Sequence, residues 1–295
     1  MLDHPHCHLM ASRRACLASA AAGLLSPVAA LAGRPLRYAR FSVTEFDPKV
    51  YFPLTLLRQM LAQAGMDLTP TPTELVMDRP RAIKALMEGQ IDITWGALNL
   101  EAESRLRPIR IPIFRGLLGQ RVFLIRKDRQ ELFAGVNSLA DLAKLTAGQG
   151  VGWVDVPILK AAGLTVVSNT YDALFKMLVR GTIDYFPRAA PEAVGELQVM
   201  GAQIPDLMLE PRLLLSYRSD LIFYLRREDE ALAADLEGAL RRLHESGVFS
   251  RMFEVDPYVR AGLRVAQLER RLRFAIPNPM LSDEARAIPD RFWGG

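Results

Sequence analysis

Apolar positions along the chain fall into two patterns, short continuous blocks and longer stretches where they return at helical spacing. Leu36 to Val43 reads as a first strand. A helix follows with Leu54, Leu57, Leu61 and Ala64 on one face, Pro53 in its first turn and Gly65 as its stop. Thr69-Pro70-Thr71-Pro72 reads as a stiff extended connector. Asp78 is placed to cap a second helix that tolerates Pro80 early, turns Ile83, Leu86 and Met87 inward and ends at Gly89. Ile91 to Trp95 is a short buried strand. This order of elements predicts a mixed or parallel sheet with helices on its faces.

The theme then repeats. Arg121 to Arg126 reads as a strand, and Ser138 with Asp141 opens a helix expected to end near Gly148. A strand is expected at Val151 to Val154, a short helix at Pro157 to Ala162 and a strand at Leu164 to Val167. Helix Tyr171 to Arg180, stopped by Gly181, leads into a strand at Ile183 to Phe186. Two segments share one form: Gly89-Gln90-Ile91-Asp92 and Gly181-Thr182-Ile183-Asp184 each end a helix and enter a strand. Paired in this way, they suggest two lobes built on one plan. Leu221 to Leu225 is strand-like, and Glu228 to Ser246 is a long helix with Leu232, Leu236, Leu240 and Leu243 on one stripe. Further helix is expected through Arg271, and Trp293 should pin the tail as a surface wrap.

Composition changes the picture most at the start. Arg13 and Arg14 precede an Ala-rich apolar run from Ala15 to Ala32, which closes on Ala30-Leu31-Ala32. A positive, apolar, small-residue order is that of an export leader cleaved near Ala32, and it places the mature protein in the periplasm. Ser12-Arg13-Arg14 also resembles the twin-arginine motif, with Cys16 where an aromatic or apolar residue is usual. The leader would carry off Cys7, Cys16, His4, His6 and His8, leaving His244 as the one histidine of a 263-residue mature chain. Such a chain offers no disulfide, no cysteine nucleophile and no multi-histidine metal site, so neither metal nor cofactor is expected. It keeps 35 basic against 32 acidic residues, too small and scattered an excess to argue for nucleic acid.

These features together are similar to the extracellular solute-binding proteins of family 3. The likeness rests on Gly89-Gln90-Ile91-Asp92, Glu101 to Arg105, Ile111-Pro112-Ile113-Phe114, Val122 to Ile125 with Lys127-Asp128, Leu139-Ala140-Asp141-Leu142, Gly181-Thr182-Ile183-Asp184 and His244 to Phe249. It spans nearly the whole mature chain. The resemblance implies an α/β, two-lobed periplasmic-binding-protein-like fold of type II, with the ligand in a cleft between lobes. It divides the chain into a signal peptide (1–32), the first part of lobe 1 (33–116), lobe 2 (117–216) and a return to lobe 1 with C-terminal helices and tail (217–295). Crossings are expected near Phe114 to Gly119 and Leu213 to Asp220. It also implies a monomer that binds a small-molecule solute for an inner-membrane permease of an ABC-type importer, or as an orphan sensor.

Candidate site residues follow from the ends of strands, where open α/β sheets bind ligands. Trp95 and Trp153 stand at such ends and read either as ligand walls or as core. Asp155 stands there too, and reads equally as a helix cap before Pro157. The resemblance places Arg105, with Asn99 nearby, where relatives bind an α-carboxylate; Arg105 reads equally as part of a solvated basic face with Arg107 and Arg110. Arg188 stands where relatives place an acid for an α-ammonium, and an arginine cannot take that role. It reads as a fork for an anion or as a partner of Glu192 one turn on. A small polar or anionic organic solute is therefore expected. Phe46 and Tyr51 are weaker candidates. No phosphate loop or dinucleotide fingerprint is present, and Ser246 and His244 do not face each other on a helix. A binding protein is the leading reading, with an enzyme of the dehydratase or lyase kind on the same fold as the alternative.

Overall fold

A computed structural model describes residues 33–41 and 48–294. The expected leader and Phe46 lie outside the described residues. The chain opens with β1 (Arg34–Arg40), α1 (Pro48–Gln63), β2 (Leu68–Val76), α2 (Arg79–Met87), β3 (Ile93–Ala97), α3 (Leu100–Arg105) and β4 (Arg107–Ile109). It continues through β5 (Gln120–Arg126), α4 (Gln130–Ala134), α5 (Leu139–Leu142), β6 (Thr146–Gly150), α6 (Asp155–Ala161), β7 (Thr165–Asn169), α7 (Tyr171–Arg180), β8 (Phe186–Ala189) and α8 (Ala190–Met200). The last third holds β9 (Leu207–Leu209), β10 (Leu213–Ser216), β11 (Leu221–Leu225), α9 (Glu230–Glu245), α10 (Val248–Val255), α11 (Pro257–Ala266), β12 (Leu272–Ala275) and α12 (Asp283–Arg286).

One mixed sheet runs β2-β1-β3-β11-β4, and a second runs β12-β10-β5-β8 with β9 also on β5. β6 and β7 form a parallel pair, bridged to the second sheet's side at Ala147 and Tyr185. Each sheet organises one lobe. The Thr-Pro-Thr-Pro stretch is not a connector but the edge strand β2, paired in parallel with β1. Pro70 and Pro72 share one parity, so both turn the side that lacks an N–H to the open edge, where a sheet tolerates proline. α1 begins at Pro48, which puts Pro53 inside the helix rather than in its first turn. The helix expected to run to Gly148 ends at Leu142, and Gly148 lies within β6. The strand expected at Val151 to Val154 is the turn before α6 instead.

Two segments join the sheets. The first, residues 110–119, leads from β4 to β5, and the second, 217–220, leads from β10 to β11. They lie side by side. Ile113 N donates to Leu221 O at 2.9 Å, and Tyr217 N to Gly119 O at 3.2 Å. A Cβ on Gly119 would stand 1.9 Å from Tyr217 O, so only glycine lets the strands approach there. Residues 217–295 return to the first sheet through β11 and to α1 through α9, as expected, but do not all stay there. β12 adds to the second sheet and covers the outer edge of β10, and α11 packs on α8 with Gly262 against Pro191. The tail then turns back, and buried Trp293 packs on Gly116 of the first crossing, as its expected role required.

The described histidine, His244, stacks on Phe249 with ring centres 3.9 Å apart and meets Phe292 edge-on. Burial, then the nearby Arg115 and Arg291, pull its pKa down from 6.5 to about 4. The unfolded chain takes up this proton first as the pH falls. Stability linked to His244 is therefore full above about pH 6.5 and declines toward pH 4, by about 2–3 kcal/mol. Melts of the native protein and His244→Gln across that window should differ in slope. Parallel slopes would show that the imidazole stays solvated.

Candidate functional site

The carboxyl end of β3 opens into a cavity of about 270 Å³. One wall belongs to α2 and α3, and Gly152 and Val154, in the turn after β6, face it from the other sheet's side. Asp78 caps α2 by accepting from Arg81 N at 2.9 Å, which fixes the start of that helix beside the strand end. Arg79 follows directly. Its Nη1 donates to Trp95 O at 2.8 Å, and its guanidinium lies 5.2 Å over the Phe41 ring. Asn99 caps α3, accepting from Ala102 N at 3.0 Å and donating to Ala97 O at 2.9 Å. Arg105, at the other end of α3, lines the cavity and lies 3.8 Å from Glu101. Thr94 is 3 % exposed and lines the cavity, and its hydroxyl has no partner among the described residues.

Trp95 lines the cavity and is at the same time packed into the core. It is 1 % exposed and packs against Tyr38, Phe41 and Phe223 at ring distances of 5.5, 5.7 and 6.1 Å. What it gives the site is the carbonyl that holds Arg79. Tyr51 is exposed and is not among the cavity's lining residues.

On the second lobe, Trp153 lies over Gly150, where a Cβ would come within 2.1 Å of the indole. Its ring stacks on Phe186 at 6.2 Å, with the Arg188 guanidinium 4.6 Å from it. Arg188 is buried and its fork is already filled. Its Nε and Nη2 donate to both oxygens of Glu196 at 2.7–2.9 Å, and Nη2 lies 3.0 Å from Glu192. Burial pulls the Arg188 pKa down, but Glu192 and Glu196 carry it up further, so it stays charged. The expected anion fork is thus closed from inside, because a desolvated guanidinium must find carboxylates wherever the chain supplies them. Asp155 is not free for a ligand either. It pairs with buried Arg121 at 2.6 Å and accepts from the Tyr217 hydroxyl, while Arg121 reaches Glu192 at 3.6 Å. Burial, with Asp155 beside it, pushes the Tyr217 hydroxyl pKa well up.

Of the residues expected at the site, Trp95, Asn99 and Arg105 line the cavity, while Arg188 and Asp155 belong to a buried ion cluster with Arg121, Glu192 and Glu196. Arg79, Thr94 and Phe41 were not foreseen as site residues. The helix-capping Asp78 was a usable signal for Arg79, since the residue after a cap projects from a strand-end helix.

No protein-family model and no curated protein sequence matches the chain. Solved structures do. An ancestral arginine-binding protein bound to arginine aligns with a TM-score of 0.54 at 17 % identity, over 77 % of this chain and 99 % of that one. The fold is that of the two-lobed periplasmic binding proteins. An amino-acid ABC transporter substrate-binding protein from Streptococcus pneumoniae, bound to L-arginine, aligns with a TM-score of 0.52 at 16 % identity, over 78 % and 96 % of the two chains. An ancestral amino-acid-binding protein described as a precursor of cyclohexadienyl dehydratase aligns with a TM-score of 0.50 at 16 % identity, over 75 % and 95 %. Among the described residues no helix is long and apolar enough to cross a membrane.

Proposed function

We propose that this chain is an exported solute-binding protein that takes a small polar or anionic organic solute in the cavity at the end of β3. The observation that carries this reading is the cavity itself, which has Arg79, Thr94, Asn99 and Arg105 on one side and Gly152 and Val154 of the other lobe opposite. Its size, about 270 Å³, is near the lower end of the roughly 300–1,000 Å³ usual for ligand sites and suits a small molecule. Two strand-like crossings lying side by side suit closure of one lobe on the other around a solute. The fold neighbours support such a role, delivering solute to an inner-membrane permease or reporting it to a sensor, with the protein acting as a monomer.

Native mass spectrometry of protein taken from the periplasmic fraction tests this reading. The expected mass is that of residues 33–295 carrying a solute that is released unchanged on unfolding. Adding that solute back at about 100 times its Kd should raise stability by about 2.7 kcal/mol. That corresponds to about 5–10 °C in Tm for a chain of this size. A full-length membrane-bound product, or turnover of the solute to a second mass, would overturn it.

A further inference from the structure

We infer that residues 256–294 act as a clamp on the two lobes, so that the protein rests closed without solute and opens only when α11 lets go of one lobe. The clamp governs how the cleft opens, whichever solute it takes. Besides the crossings at 110–119 and 217–220, this segment passes between the lobes twice more.

The first passage leaves α10, which belongs to lobe 1: Phe249 and Phe253 pack on Phe52 of α1 at 6.1 and 6.0 Å. Buried Asp256 turns the chain there and caps α11, accepting from Tyr258 N and Val259 N at 3.0 Å. The Tyr258 ring stands 5.9 Å from Phe114 of the first crossing. α11 then lies on α8 of lobe 2 and also meets α1 of lobe 1. A Cβ on Gly262 would come within 2.6 Å of Pro191 Cγ and 2.8 Å of Pro191 N, so α11 and α8 approach more closely than a side chain allows. Val259, Gly262 and Ala266 are buried and share this face at helical spacing. Val259 and Ala266 belong to one continuous apolar cluster with Ala190 and Ala193 of α8 and with Phe52, Phe249 and Phe253 of lobe 1.

The far end of α11 is fixed to lobe 2. Buried Arg271 donates from Nη1 to Leu213 O at 3.0 Å, and β12 pairs alongside β10. The second passage returns along the second crossing, with Ile276 N donating to Ser216 O at 2.9 Å and Asn278 Nδ2 to Arg218 O at 2.7 Å. It ends on α3 of lobe 1, where Leu100 N donates to Met280 O at 2.8 Å and Ser282 Oγ to Glu103 Oε2 at 2.6 Å.

A hinge absorbs lobe rotation through a few backbone angles. The return passage lies beside a hinge segment and bends with it. α11 does not bend, because it is a helix held by both lobes. Swinging α8 away from α1 strips buried Val259 and Ala266 of apolar neighbours on one side and exposes them to water. That cost keeps open states sparsely populated until something offsets it. The described residues accordingly cluster as one compact unit and not as one unit per lobe.

Distances between spin labels test the clamp. A chain begun at Gly33 holds no cysteine, so Lys84→Cys on α2 and Lys160→Cys on α6 place one exposed label on each lobe. The protein is first unfolded and refolded to free it of any solute. Pulsed electron resonance should then give a single distance population for the otherwise native chain. Gly262→Val, which drives α11 off Pro191, should add a second population at longer distance. Should that variant fail to fold, Val259→Ala trims the same contact without a clash and should shift the distribution the same way. A native chain that already shows the longer distances without solute would overturn the inference. So would a folded variant that keeps the native distribution.

Discussion

Arg188→Ala should lower the stability of the folded protein by about 3–5 kcal/mol, the loss typical when one partner of a buried ion pair is removed. The side chain is 4 % exposed and holds Glu196, itself 9 % exposed, through short bonds from Nε and Nη2, with Glu192 at 3.0 Å. Alanine leaves two carboxylates in a desolvated site where Arg121, 3.6 Å from Glu192, compensates only one of them. It also removes the cation that lies 4.6 Å from the Trp153 ring and 5.1 Å from the Phe186 ring. An exposed pair would cost under about 1 kcal/mol. The double variant Arg188→Met, Glu196→Met should recover most of the loss, because it removes both charges and fills the space with apolar atoms. Urea denaturation of the two variants and the native protein decides the matter. A loss below about 1 kcal/mol for Arg188→Ala would mean that water reaches the cluster and that its carboxylates are free to meet a ligand after all.

Much of the fold was legible because helix stops and strand entries are local. Gly89 and Gly181 do take left-handed conformations at φ +70° and +72°, at the ends of α2 and α7, as the twin motifs required. β5, β11 and α9 also fall where apolar periodicity put them. What was not legible depends on partners distant in sequence. β2 was hidden because proline marks a break in a central strand and a permitted residue at an edge, and only the sheet order tells which. The facing of β3 was hidden for a similar reason. Both faces of this strand are covered, so alternation along it does not separate residues that meet the cavity from residues that meet the core, and Trp95 does both. Arg188 illustrates the limit most sharply. Helical spacing pointed to Glu192, which is present, but the tighter partner is Glu196. Arg188 lies in β8, before α8 begins, so the spacing rule for two residues on one helix does not govern its reach.

Asp220→Ala should destabilise the protein by roughly 3–6 kcal/mol, because it strips three buried backbone donors of their acceptor at once. Oδ1 of Asp220 accepts from Phe114 N at 3.0 Å and Leu221 N at 2.7 Å, and Oδ2 accepts from Gly116 N. The carboxylate thereby ties one crossing segment to the other. Each orphaned donor costs about 1–3 kcal/mol, with some relief where water enters the gap. Burial pushes the Asp220 carboxyl up to about 7 against the pull of those three N–H groups, so the site stands close to the limit of what the bonds can hold charged. Asp220→Asn should lose only about 1–3 kcal/mol. Its one oxygen can still serve Phe114 and Leu221, while its amide faces the N–H of Gly116 and leaves that donor unpaired. The order native, Asn, Ala in unfolding free energy is the expected result. Equal losses for Asn and Ala would mean that the bond to Gly116 carries the whole effect. The tie between the crossings would then reduce to a single hydrogen bond at the turn that Trp293 covers.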